Sequence, residues 1–373
     1  MRHTIKVTFS LFLLLLAILI AMPVTGNRLT IQGAYPVILP LICRPEISTY
    51  LTTVKEAFRA ATEYIHIAIM SGHYYGCVDR DQLWHQLIAA AGRGVEVKVL
   101  FDQSDWAPQI REQNKAAFLF LLAHGIQARF DNAAITTQAK LVIIDGKIVI
   151  LGSSDWTNRA FYYQEQANII VNCKLVAGAF AAYFIRLWED KLEEETIHLD
   201  LTLLPETGPA VIPLFDTNST QMYSDVLLHL LNLARYSVFV VMHRIAYYPH
   251  FPDSLSNRIL TALVDAAQRG LTVKVIIDDN APSATWAEHS KATALYLLMR
   301  GVRVRFDDPA LVTHANLVII DREDILLGST NWHFHSLKRN NEVNIAILQS
   351  PQVAALYEQF FWSLWRNGIS LGD

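Results

Sequence analysis

Cysteine is scarce in this chain: Cys43, Cys77 and Cys173 are the whole set in 373 residues. They form no CxxC pair and no metal-like spacing with histidine, which excludes a disulfide-built scaffold and the common zinc folds; one disulfide can form, but nothing demands it. Excess charge is also missing. With 31 basic and 35 acidic residues the net charge is −4, which argues against a broad basic face for duplex nucleic acid and leaves room for a local basic pocket. What the chain has in quantity is apolar material, 52% of residues, enough for large cores in two ordinary domains.

The long apolar run lies at the N-terminus, Val7 to Met22, after Arg2 and Lys6 and before Pro23 and the small residues up to Gly26. This is the layout of a secretory signal, short for a comfortable membrane span. Residues 1–26 are therefore expected to be a signal peptide or a membrane anchor. Either one puts the body outside the cytoplasm: secreted, periplasmic or tethered to the membrane by this segment.

The rest of the chain is written twice. "TTQAKLVIIDGKIVILGSSDW" (136–156) and "VTHANLVIIDREDILLGSTNW" (312–332) align at an offset of 176 residues. The same offset pairs Asp102 with Asp278, Gly125 with Gly301 and Asp131 with Asp307. Upstream it becomes 173, pairing Tyr74-Tyr75 with Tyr247-Tyr248. Two copies of one unit follow, 40–190 and 213–368, joined by a linker over 191–212 that is acidic and then Pro/Gly-bearing.

Within each copy helical and strand periodicities alternate. Helices are predicted over 52–62 and 224–234, and later ones end at the glycine of "AGRG" or "AQRG" and of "LLAHG" or "LLMRG", each followed by a β-branched run. The motif strands "AKLVIID" and "IVILGSS" read as a hairpin across Gly146. The expected class is α/β: tandem domains, each a mixed sheet flanked by helices.

The spacing resembles that of the phospholipase D superfamily, of the two-motif HKD type and its bacterial nuclease and cardiolipin-synthase-like branch. That motif is histidine, one residue, lysine, four residues, aspartate, six residues, Gly-Ser, then asparagine and a later glutamate. The first copy reads Gln138, Lys140, Asp145, Gly152, Ser153, Asp155 and Gln166; the second reads His314, Asn316, Asp321, Gly328, Ser329, Asn331 and Glu342. The resemblance implies that the copies pack about a pseudo-two-fold axis and build one phosphodiester site. In it one histidine attacks phosphorus while the other handles protons, and no metal or cofactor is needed.

Both motifs are thus degenerate. The surviving catalytic set is expected to be His314 with Glu342 as its orienting carboxylate, and Lys140. Asn331, Asn316, Ser153, Ser329 and Gln138 are the expected phosphate binders, although each serine reads equally well as a turn residue. Asp145 and Asp321, each before a turn, are expected to support the motif structurally. Trp156 and Trp332 are expected in the core. Glutamine cannot transfer protons, so the expected function is a weak phosphodiesterase on phospholipid or nucleic acid; the alternative is a pseudoenzyme binding phosphorylated ligands or lipid headgroups. The oligomeric state is open.

Overall fold

The computed structural model describes residues 37–44, 47–76, 83–192, 209–280 and 283–370. The predicted leader at 1–26, Cys77 and most of the predicted linker lie outside them. No helix among the described residues is long and apolar enough to cross a membrane.

The first copy holds β1 (Val37–Arg44), β2 (Ile47–Ser48), β3 (Tyr64–Ile69), β4 (Glu96–Phe101), β5 (Gln127–Phe130), β6 (Lys140–Ile144), β7 (Ile148–Gly152) and β8 (Gln164–Asn172). The second holds β9 (Ala210–Asp216), β10 (Ser237–Met242), β11 (Thr272–Ile277), β12 (Arg303–Phe306), β13 (Val312–Thr313), β14 (Asn316–Ile320), β15 (Asp324–Gly328), β16 (Glu342–Leu348) and β17 (Ile369–Ser370). The sheet orders are β2-β1-β8-β7-β6-β3-β4-β5 and β17-β12-β11-β10-β14-β15-β16-β9. In both, three strands that alternate with helices pair in parallel (β3-β4-β5, β10-β11-β12), and the motif hairpin continues the sheet antiparallel. These are the tandem mixed α/β domains that the repeat predicts.

Helices observed at Thr49–Ala60 and Met222–Leu233 begin two or three residues earlier than the apolar periodicity suggests. The third predicted helix of each copy is Pro108–Ala123 and Ala284–Leu298; glycines at positive φ follow at Gly125 and Gly301. The motif hairpin turns through Asp145 and Gly146, at φ 53° and 58°, with Lys147 N donating to Ile144 O at 2.9 Å. Two consecutive positive φ values are what a tight turn between right-twisted strands requires. The Asp145 carboxylate accepts from the backbone of Thr62, Glu63 and Tyr64 at 2.8–3.0 Å, and Asp321 from Arg235, Tyr236 and Ser237 at 2.7–2.9 Å. Each aspartate fastens the hairpin turn to the loop entering the neighbouring strand.

One hydrophobic core spans both copies, and a second lies within the first copy. Phe180 and Tyr183, on the helix Lys174–Trp188, pack on Phe215 of β9, with ring centroids 5.9 and 5.2 Å apart. In return Tyr357, on the helix Pro351–Asn367, donates its hydroxyl to Asn168 O in β8 at 2.6 Å. Trp156 and Trp332 are buried as expected, each indole N–H donating to a buried tyrosine, Tyr50 or Tyr223, at 3.0 Å.

Candidate functional site

The site forms where the motifs meet, and the join is crossed. β13, just before His314, pairs in parallel with the start of β8 in the other copy, Val312 with Gln164 and Thr313 with Glu165. Symmetrically, Gln138 N donates to Asn341 O at 3.0 Å and Asn341 N to Thr136 O at 2.8 Å. Each motif head is thereby sewn to the strand that follows the other copy's motif.

That crossing overturns the expected partnership of His314 with Glu342. His314 Nδ1 lies 3.1 Å from Ser153 O and 3.3 Å from the Gln166 side-chain amide, both in the first copy. Glu342 instead receives the hydroxyls of Ser329 and Ser336 and, at 3.1 Å, the amide of Asn340; that amide also reaches Gln138 Oε1 at 3.0 Å. The carboxylate thus belongs to the half that lost its histidine, and the surviving histidine is backed by an amide.

A carbonyl oxygen can only accept, so the contact with Ser153 O places the proton of His314 on Nδ1 and leaves the lone pair on Nε2. Burial, then the neighbouring His243 ring, hold His314 well below the usual histidine range, so the ring is neutral near pH 7. Burial pushes the Glu342 carboxyl up to about 7 against the pull of Ser329 and Ser336.

The serines sit differently from expectation. Ser153 and Ser329 are each 1% exposed. The Ser329 hydroxyl donates to Glu342, the Ser153 hydroxyl meets the Gln166 amide, and the two accept the backbone N–H of Val343 (3.0 Å) and Ala167 (3.1 Å). They tie the motif loop to the next strand and have no free hydroxyl for a phosphate. The preceding glycines are required by that closeness: a Cβ on Gly152 would stand 2.5 Å from Ala167 O, and one on Gly328 2.4 Å from Val343 O.

Asn316 is also occupied at both ends, accepting from His243 N at 3.3 Å and donating to Ser329 O at 3.0 Å. Asn331 Oδ1 accepts from Arg244 N at 3.1 Å, which leaves its NH2 for the pocket. Lys140 is buried, its ammonium 3.0 Å from Gln138 O and 3.9 Å from Asp155 Oδ1. The aspartate that replaces the motif asparagine therefore partly neutralises the one motif lysine. Gln138 is held by Asn340 and Asn341 on the wall opposite the second motif.

Sequence reasoning missed His243. It follows β10, with its ring 4.1 Å from that of His314, centroid to centroid, and its Nδ1 3.2 Å from Asp278 Oδ2. Trp286 meets it edge-on at 5.0 Å, and the Arg244 guanidinium lies 4.5 Å over the Trp286 ring. Burial, then Lys140, push His243 down to about 3. The available signal was that a histidine-arginine pair ends a strand next to the motif strand, where the first copy has Met70 and Ser71. Chemically the arrangement offers one imidazole with a directed lone pair, a second neutral imidazole against it, and the cations Lys140 and Arg244 for a phosphate. Among the described residues no cluster of His, Cys, Asp and Glu could hold a metal.

Comparison with known proteins agrees with this architecture. A family model described as "Cardiolipin synthase, PLD-like domain" matches residues 54–188 and again 227–365. Cardiolipin synthase A of Escherichia fergusonii is 24% identical over 286 residues, spanning 72% of this chain and 57% of that protein. Cardiolipin synthase of Halalkalibacterium halodurans is 23% identical over 341 residues, spanning 83% and 63%. The chain thus spans about three fifths of the length of these curated relatives. Among solved structures, phosphatidylserine synthase of Haemophilus influenzae shares the fold with a TM-score of 0.67 at 13% identity, covering 86% of this chain and 85% of that one. Polyphosphate kinase of Porphyromonas gingivalis has a TM-score of 0.58 at 13% identity, covering 89% and 50%. With the family model matching both copies over most of their length, this chain belongs to the phospholipase D superfamily, as a tandem member of the cardiolipin-synthase, PLD-like type.

Proposed function

We propose that this protein is a phospholipid phosphodiesterase or phosphatidyl transferase working slowly through one motif histidine. The observation that carries the reading is the His314 Nδ1 contact with Ser153 O, which leaves Nε2 unprotonated on a ring that lies within electrostatic range of Lys140 and against His243. Phospholipid is preferred to nucleic acid because the family members it matches are named for phospholipid synthesis and because net charge is slightly negative.

In the first step His314 Nε2 forms a bond to phosphorus as the bond to the leaving oxygen breaks, with Lys140 and the Asn331 amide taking up charge on the phosphoryl oxygens. In the second, water or an alcohol displaces the imidazole. The leaving oxygen finds Gln138, not an imidazole, on the opposite wall, and loss of such a proton donor lowers rates by about 10²- to 10⁴-fold. Substrates whose leaving groups depart without a proton escape that penalty.

The test is hydrolysis of bis(4-nitrophenyl) phosphate with intact-mass detection of the phosphorylated protein. Wild type should release nitrophenolate and carry a 4-nitrophenylphosphoryl adduct on His314, and His314→Ala should do neither. Equal turnover by the variant would reject the reading. Phospholipid binding without any adduct would instead establish a binding pseudoenzyme.

A further inference from the structure

Beside the second motif lies an apolar cavity of about 730 Å³, lined among others by Tyr248, Phe251, Leu255, Phe334, Leu337 and Lys338. Resting on the phospholipid reading above, we propose that this cavity takes one acyl chain of the lipid whose phosphate sits at His314. Its size falls within the range of small-ligand pockets, and its lining is overwhelmingly apolar. Two aromatic rings stand at its rim with much of their surface in water, Phe251 at 68% and Phe334 at 46% exposure. A folded protein seldom leaves such a pair beside a hollow unless something apolar covers them.

The cavity wall is tied to the second motif. Phe334 comes three residues after Asn331 in the chain, and Ser256, on the cavity wall, donates its hydroxyl to Trp332 O in the motif at 2.9 Å. Tyr248 accepts Phe334 N at 3.2 Å, packs against His289 at 5.4 Å between rings, and comes within electrostatic range of Arg244, whose guanidinium covers Trp286 next to His243. A ligand with its anionic head among Lys140, Arg244 and His314 can thus lay an apolar tail past Tyr248.

The rim phenylalanine is one-sided. At the matching place in the first copy Asn158 replaces Phe334, although its backbone N–H makes the same 3.2 Å bond to the hydroxyl of Tyr75. The hydrogen bond is the same in both copies, and at this position only the second copy carries an apolar side chain. A lipid with one chain anchored on that side would be held in a single direction across the asymmetric site.

The test is calorimetric binding of monomeric lysophosphatidylglycerols from octanoyl to dodecanoyl, with glycerophosphoglycerol as the chainless ligand, to the full chain. Burial of each methylene should tighten wild-type binding about threefold to fourfold until the cavity is full. Phe334→Asn and Phe251→Ser, both at exposed positions, should flatten that chain-length dependence while leaving the chainless ligand unchanged. Lys140→Ala should weaken every ligand alike. An unaltered chain-length dependence in both phenylalanine variants overturns the acyl site alone. Chain-dependent binding that ignores Lys140→Ala overturns the phosphate reading instead, and a wild type that binds none of the series overturns both. Affinity for hexathymidylate that falls in Phe334→Asn would make the rim a base-stacking platform and overturn the proposal.

Discussion

At the residue scale the informative fact is which partner each polar group keeps. The motif spacing identified His314, Lys140, Glu342 and their neighbours from sequence, because the spacing occurs twice at one offset. It also suggested that His314 and Glu342 survive as a pair, since both lie in the second copy. The parallel pairing of β13 with β8 breaks that inference: contacts across the axis are between copies, and no local sequence signal records them. His243 was illegible for the same reason, because its value comes from a strand end meeting another element. The crossing yields a prediction about repair. Gln138 already stands next to Asn340 and, through it, Glu342, so Gln138→His alone should restore an oriented proton donor. Hydrolysis of an alkyl phosphodiester should rise by about 10²-fold or more, with little change for the bis(nitrophenyl) ester. An equal change for both substrates would mean the new imidazole does not serve the leaving group. Gln166→Glu is expected to act on the other half, drawing the His314 ring toward its protonated form and moving the acid limb of the pH–rate profile upward.

At the scale of elements the hairpin was legible because its turn has strict backbone demands and its strands have a buried, β-branched pattern. Helix starts were shifted because the first turn of each carries little apolar periodicity. Asp145 shows how the turn is held. Although burial alone would raise it, the N–H groups of Glu63, Thr62 and Tyr64 hold its carboxyl below the ordinary range. A folded-state value below the unfolded one gives stability that is present above about pH 4 and lost as pH falls through the folded value. Asp145→Ala should cost about 1–3 kcal/mol at pH 7, and the gap from wild type should narrow in acid; denaturant midpoints at pH 7 and pH 3 measure both. Gly152→Ala should be worse than its size suggests, because the added methyl meets the backbone of Ala167 and Asn168 at 2.5 Å. It should lower thermal stability and, by parting Ser153 from β8, lower the yield of His314 adduct as well.

At the scale of the whole molecule the duplication buried several carboxyls with the shared core. Burial, with each carboxyl repelled by its pair partner, pushes Asp131 beside Asp102 and Asp307 beside Asp278 up to about 8. Burial takes Asp216 to about 8 and Glu342 to about 7. In the unfolded chain such groups titrate near 4, so between there and about 8 the folded state binds more protons, and stability falls as pH rises. Three histidines act oppositely. His243, His314 and His333 are held below the unfolded value of about 6.5, mainly by burial, so below that pH the unfolded chain binds the extra protons and stability rises with pH. Above about 6.5 the histidines are neutral in both states and only the acids remain. Urea midpoints should therefore decline between pH 6.5 and 8.5, and Asp131→Asn, which removes one charge that burial penalises, should flatten the decline. A midpoint that holds or rises over that interval would show that these carboxyls keep near-ordinary acidity in the folded protein.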